Sequence, residues 1–179
     1  MNKIFEKLTN QLTETIDSSV ALALHNKNQE VEVIHLLWAL LSNTNSVLNQ
    51  LLNKMNVNKV AVELEAKSYA SKLPSVSSVT KESIKLSRNL LSSLQNAEGL
   101  MASFGDKFIA VDTWLISNLD SSVIKDVLGK YVDLKEAKKE LEAMRAGKTI
   151  DSNSGDENLE ALNKYGIDLN KKAIDGLLD

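Results

Sequence analysis

The chain says much the same thing twice, and a duplication limits the possible folds more than any single motif does. Val20-Ala21-Leu22-Ala23-Leu24, a polar break, then Val31 and Ile34-His35-Leu36-Leu37-Trp38-Ala39-Leu40-Leu41 form the first copy. Leu100-Met101-Ala102, a break at Gly105-Asp106-Lys107, then Ile109 and Thr113-Trp114-Leu115-Ile116-Ser117-Asn118-Leu119 form the second. Pairing Val31 with Ile109 sets an offset of 78. Without a gap, the same offset pairs Leu8 with Leu86, Leu12 with Leu90, Ile16 with Leu94, Leu22 with Leu100 and Leu37 with Leu115. Two tandem copies of one helical unit imply a pseudo-twofold module with a seam between its halves. An apolar seam is a natural place to bind something.

Composition supports an all-α reading. At 179 residues there is room for one domain of about 150 residues plus a tail. Hydrophobic residues make up 43% and aromatics only 4%, so Leu, Val, Ala and Ile must fill the core. One Pro and seven Gly leave helices few interruptions. The absence of Cys removes disulfides, thiolate metal sites and cysteine nucleophiles, and suits a reducing compartment. Nothing resembles a signal peptide, and no run approaches the roughly 20 apolar residues of a membrane span. The expected location is the cytoplasm. Residues 147–179 hold four Lys against seven acids, while residues 1–146 balance at 17 of each. The repeat region therefore has no net field to attract polyanions, and nucleic acid is not an expected partner.

Ile4, Leu8, Leu12, Ile16 and Val20 step by four and predict one long amphipathic helix. His25-Asn26-Lys27-Asn28-Gln29 ends it, with Asn tolerating the left-handed turn that closes helices. A nearly all-apolar helix over 34–42 reads as central. Ser46 is a candidate cap for a short helix holding Leu48, Leu51 and Leu52. A fourth helix spans about 60–72, and the stretch around Pro74, the only proline, connects the copies. Repeat two follows the same plan: Thr80 as a cap, a helix through Met101, a loop at 103–108, helices near 111–118 and 123–128, and a last one through Met144. The domain assignment is 1–146, with repeat one about 1–72 and repeat two about 79–146. Residues 147–158, polar and apolar-poor, read as a flexible linker, and 159–179 as a short helical lead-in to a further module.

At His35-Leu36-Leu37-Trp38-Ala39-Leu40-Leu41 and, more loosely, at Thr113 onward, the chain resembles the N-terminal domain of the Clp family of AAA+ chaperones. Among these it is most similar to the ClpB-type disaggregases. Leu162-Asn163-Lys164-Tyr165-Gly166-Ile167-Asp168-Leu169 resembles the segment leading to their first ATPase module. The resemblance implies a duplicated four-helix fold of eight helices. It also implies a substrate-engaging domain that catches apolar segments of unfolded or aggregated polypeptide for a hexameric, ATP-driven parent, with a co-chaperone system acting on that parent. ATP and Mg would belong to other modules. Here Gly147-Lys148-Thr149 lacks the upstream glycine of a phosphate-cradling loop, so no cofactor is expected within these residues. An adaptor-docking N-domain of a protease-coupled Clp unfoldase is the alternative. A stand-alone enzyme has no supporting constellation, and no catalytic residue is assigned.

Seven substrate-binding candidates follow. Thr9, Asp106 and Asp112 match positions the family uses for activity, although capping and helix-dipole complementation also explain an acid such as Asp112. As implied by the family's groove between the copies, Leu94 keeps an apolar lining position. Thr113, like Asn96, stands where leucine is common, and Leu12 and Trp114 are candidates to compensate. A shallow groove burying ~300–400 Å² would give a gross stabilisation of about 7–10 kcal/mol. Association entropy removes most of that, so weak, sequence-tolerant binding by a monomeric chain is expected. His25 and His35 stand ten apart without Cys and are no metal pair; a structural, hydrogen-bonded histidine is the expectation for His35. Lys135 to Arg145 alternates in sign and reads as a solvated helix face.

Overall fold

The computed structural model describes residues 3–157. Residue 158, the end of the expected linker, and the expected lead-in at 159–179 lie outside the described residues. A 3-10 turn, Lys3–Lys7, precedes α1 (Asn10–His25). Strand β1 (Glu30–Val31), α2 (Val33–Ser42), α3 (Val47–Lys54) and α4 (Lys59–Ser71) complete repeat one. Strand β2 (Lys85–Leu86), α5 (Arg88–Phe104), α6 (Val111–Asn118), α7 (Ser122–Val127) and α8 (Leu134–Arg145) form repeat two.

The twofold relation is visible in the backbone. β1 and β2 pair in parallel with Val31 opposite Leu86, and Leu8 bridges Ile109 in the same sense. Because Leu86 stands to Leu8 as Ile109 stands to Val31, each ladder is the other with the halves exchanged. The first N–H of each long helix's cap follows suit: Thr9 donates to the Ile109 carbonyl at 3.0 Å and Ser87 to the Val31 carbonyl at 2.9 Å. The two hydroxyls then cap their helices, accepting from Leu12 N–H at 3.2 Å and Leu90 N–H at 3.0 Å. Helix α2 packs on α1 and α4, and α6 on α5 and α8. Both α2 and α6 are buried along nearly their whole length; α2 is accordingly almost all apolar, and the buried polar residues of α6, Asp112, Thr113 and Asn118, are hydrogen-bonded internally.

Local chemistry corrects several expectations. The first helix does not run from Ile4. Thr9 is extended and caps α1, so Ile4 and Leu8 reach the core from the 3-10 turn and the bridge. The left-handed residue after α1 is Lys27 (φ 58°), not an Asn. Its N–H donates to Leu24 and that of Asn28 to Ala23, closing the helix in a Schellman turn. After α5 the same turn uses Gly105 (φ 75°), with Asp106 donating to Met101. Asn28 and Asp106 thus occupy one structural position. Thr80 caps only a turn with Ser83; Ser87, next to the strand, opens α5. Ser46 does cap α3, accepting from Asn49 N–H at 3.2 Å.

Residues 147–157, expected as part of a flexible linker, lie on the body instead. Ile150 is buried against Ala110 and Phe108, and Asp156 is buried as well. Backbone hydrogen bonds, which composition does not report, hold this polar stretch down.

Candidate functional site

In repeat one the break before α2 closes on a neutral pair. His35, at the third position of α2, accepts the Glu32 N–H at Nδ1 (2.8 Å). Its Nε2 therefore carries the hydrogen and donates to Asn28 Oδ1 at 2.9 Å. Asn28 Nδ2 passes the chain on to the Pro74 carbonyl at 3.1 Å, in the connector. Burial lowers the His35 pKa to about 4, so the ring is neutral at physiological pH. With both ring nitrogens engaged, His35 has no lone pair to offer a metal, and His25 is exposed at the far end of α1.

Repeat two replaces this pair with an ionic cluster. Thr113 stands where His35 does and Asp106 where Asn28 does. Arg145, the last residue of α8, reaches between them. Its Nε and Nη2 donate to the two oxygens of Asp112 at 2.9 and 2.6 Å, and its Nη1 donates to Asp106 Oδ2 at 2.7 Å. Nη2 also donates to Thr113 Oγ1 at 3.0 Å. The guanidinium lies 5.2 Å from the centre of the Phe104 ring. Burial alone disfavours its charge, but Asp112 and Asp106 outweigh that and raise the Arg145 pKa. Asp112 sits in the first turn of α6, where its negative charge also complements the helix dipole.

Thr9 joins this cluster from α1. Its hydroxyl donates to Asp156 Oδ2 at 2.8 Å, and the Val111 N–H donates to the same oxygen at 3.3 Å. Burial raises the Asp156 pKa to about 6; those two hydrogen bonds oppose the rise and the charge of Asp112 adds to it. Thr9, Asp106, Asp112 and Thr113 are therefore brought together, but all four are buried. Arg145 and Asp156 were not anticipated as site residues. Arg145 departs from the solvated face expected of α8, because at the helix's last turn its guanidinium is drawn in by Asp106 and Asp112. Its acids lie 33 and 39 positions back, so no local pattern announces the pairing.

The apolar candidates are corrected too. Leu12, Leu94 and Trp114 have 0% exposure and are core rather than groove lining. Trp114 Nε1 donates to Ser93 Oγ at 2.9 Å, fixing α6 on α5. The helical phase of α5 explains the miss: Leu90, Leu94 and Ala97 point inward, while Leu100 emerges at the rim. Asn96 donates to Asn118 Oδ1 at 3.2 Å and braces α5 on α6. Among the described residues an accessible apolar depression, a trough of about 510 Å³, lies within repeat two, floored by Leu100, Ile116, Leu119 and Leu134. Lys125, Lys135 and Lys138 stand on its rim, with Asp120 and Ser117. Its counterpart in repeat one, about 320 Å³ between α1 and α2, has Leu22, Ala39 and Ser42 at the matching positions. A smaller, polar depression of about 150 Å³ over Gln11 and Glu14 reaches Val111 across the seam.

Comparison with known proteins agrees with this duplicated architecture. Residues 7–131 match the family model described as the Clp repeat (R) N-terminal domain. The chain belongs to that family. It is 55% identical over 175 residues to the chaperone protein ClpB of Wolinella succinogenes, covering 98% of this chain and 20% of that protein. It is 52% identical over 176 residues to ClpB of Helicobacter hepaticus, with the same coverage. It therefore spans about a fifth of the length of these curated relatives. In structure it resembles the Hsp104 N-terminal domain from Candida albicans, with a TM-score of 0.76 and 22% identity, covering 84% of this chain and 99% of that one. A Clp N-domain solved as a "Complex of ClpV N-domain with VipB peptide" aligns with a TM-score of 0.63 at 18% identity, covering 82% of this chain and 91% of that one. Among the described residues, no helix is long and apolar enough to cross a membrane.

Proposed function

We propose that this chain is the substrate-engaging N-terminal domain of a ClpB-type disaggregase, and that it captures clients in the trough of repeat two. The observation that carries the reading is an open apolar floor at Leu100, Ile116, Leu119 and Leu134 beneath three lysines. An apolar floor recruits the aliphatic and aromatic side chains that misfolding exposes, through area removed from water. The lysine rim favours segments flanked by acids, which complement it. Most of the gross gain is lost to association and peptide ordering, so affinity is micromolar or poorer and release is fast. Weak capture suits a domain that must hand its client on. On this reading ATP hydrolysis and its Mg belong to other modules of a hexameric parent, and these residues act by binding alone.

Titration of the isotope-labelled chain with an unstructured apolar peptide bearing acidic flanks tests this. Shifts are expected to cluster at Leu100, Ile116 and Leu134, and Leu100→Ser is expected to weaken binding about tenfold. Shifts confined to repeat one, or binding indifferent to Leu100→Ser, would overturn the assignment.

A second reading, docking of a dedicated adaptor, draws on the ClpV N-domain solved with a VipB peptide. It predicts tight binding to one partner sequence and none to scrambled peptides of the same composition.

A further inference from the structure

After α8 the chain turns back and ties itself to the body. Ala146 (φ 55°) and Gly147 (φ 72°) reverse its direction in two successive left-handed steps. The Lys148 carbonyl accepts from Arg145 Nη1 at 3.3 Å. Ile150 then docks by both backbone groups: its N–H donates to Asp106 Oδ1 at 2.8 Å, and its carbonyl accepts from Lys107 N–H at 2.8 Å. The Asn153 carbonyl accepts the Asn10 N–H at 2.7 Å, satisfying an unpaired donor in the first turn of α1. Gly155 passes so close that a Cβ there would lie 2.8 Å from Ile150 Cγ2. Asp156 then takes the Thr9 hydroxyl and the Val111 N–H at the start of α6.

We infer that Thr9, Asp106, Asp112 and Arg145 are a receptor for the chain's own exit segment, residues 148–156, and that Asp156 is the clasp that closes it. These residues set the direction in which the chain leaves the domain, and none of them touches a client. Two corners of the receptor differ in security. At Arg145 every nitrogen has an acceptor. At Asp156 one buried carboxylate oxygen, Oδ1, has no partner among the described residues. Opening therefore starts at Asp156, frees Asn10 and Ile150 in turn, and stops at Arg145. The strap is thus a hinge of graded strength, independent of the trough on α5, α6 and α8.

Amide hydrogen exchange on the whole 179-residue chain tests the clasp. In the unaltered protein Asn10, Lys107 and Ile150 are expected to exchange far more slowly than exposed loop amides. Asp156→Ala and Thr9→Val are each expected to speed exchange at these three sites tenfold or more, with the amides of α2 unchanged. Thr9→Ser, which restores the hydroxyl, is expected to restore the slow rates. Tryptic cleavage after the exposed Lys148 should accelerate in parallel in the two clasp-breaking variants. Unchanged rates, or acceleration shared equally by α2, would overturn the inference. Peptide binding at Leu100 should be unaffected by Asp156→Ala, so failure of the trough and failure of the clasp are read separately.

Discussion

Two breaks at one structural position, before α2 and before α6, are closed by opposite chemistries. Repeat one uses a neutral histidine and an amide; repeat two uses an arginine held by two aspartates. The backbone turn is the same in both, so the turn does not demand either solution. What differs is the neighbour. In repeat one the backbone itself ties down the connector, with Val76 N–H donating to the Lys27 carbonyl at 2.7 Å, and the side chains are left the Pro74 carbonyl, which an amide N–H satisfies. Repeat two must hold the exit segment, whose Ile150 N–H and Lys148 carbonyl need an acceptor and a donor at once. An Asp–Arg pair supplies both. Its cost is that neither charge can be removed alone.

That asymmetry can be broken by substitution. Arg145→Met leaves Asp106 and Asp112 buried without their counter-ion, and a loss of about 3–5 kcal/mol is expected in a denaturant titration. His35→Gln keeps a donor and an acceptor at the equivalent place and is expected to cost no more than about 1–2 kcal/mol by the same measurement. Equal losses would show that the two junctions are energetically alike.

Acid separates the repeats by sign. His35 has a folded pKa near 4 against 6.5 for the free side chain, so the unfolded chain binds the extra proton between those values. Stability from that group therefore falls as pH drops through the window. Asp156 has a folded pKa near 6 against 3.8, so the folded chain binds the extra proton. Its contribution rises as pH drops. Each term is worth up to about 3 kcal/mol, and in the shared window they oppose one another. His35→Gln is expected to unmask a chain more stable at pH 5 than at pH 7, and Asp156→Asn a chain with the reverse slope. Thermal melts at the two pH values check both signs.

The smallest contrast is between the two caps. Ser87→Ala removes one capping bond and is expected to cost about 1 kcal/mol. Thr9→Ala removes a cap and the Asp156 hydrogen bond, so about 1 kcal/mol more is expected. A matched pair of melting-point shifts would show that the Thr9–Asp156 bond contributes nothing.

The helical architecture was readable because the apolar repeat at an offset of 78 is a property of sequence alone, and the paired ladders follow its register. Periodicity says which face of a helix is apolar, yet not how deep each residue lies. Leu94 and Leu100 look alike in the chain, but only Leu100 is partly exposed, because six residues of helix turn it off the face that Leu90, Leu94 and Ala97 bury. Thr9, Asp106 and Asp112 stood out through family resemblance, while Arg145, the common partner of the two aspartates, was hidden among alternating charges on α8. Asp156 was masked by its setting. A serine- and glycine-rich stretch has the composition of a free linker whether or not its backbone finds acceptors and donors to hold it.

The reciprocal ladders make each half the missing edge of the other. Split at the proline connector, neither piece could satisfy its own exposed strand or cover its apolar central helix. The same complementarity would be offered equally by another molecule's opposite half. Two chains opened at the connector could therefore trade halves and rebuild both ladders between them, giving an intertwined dimer with no new contact required.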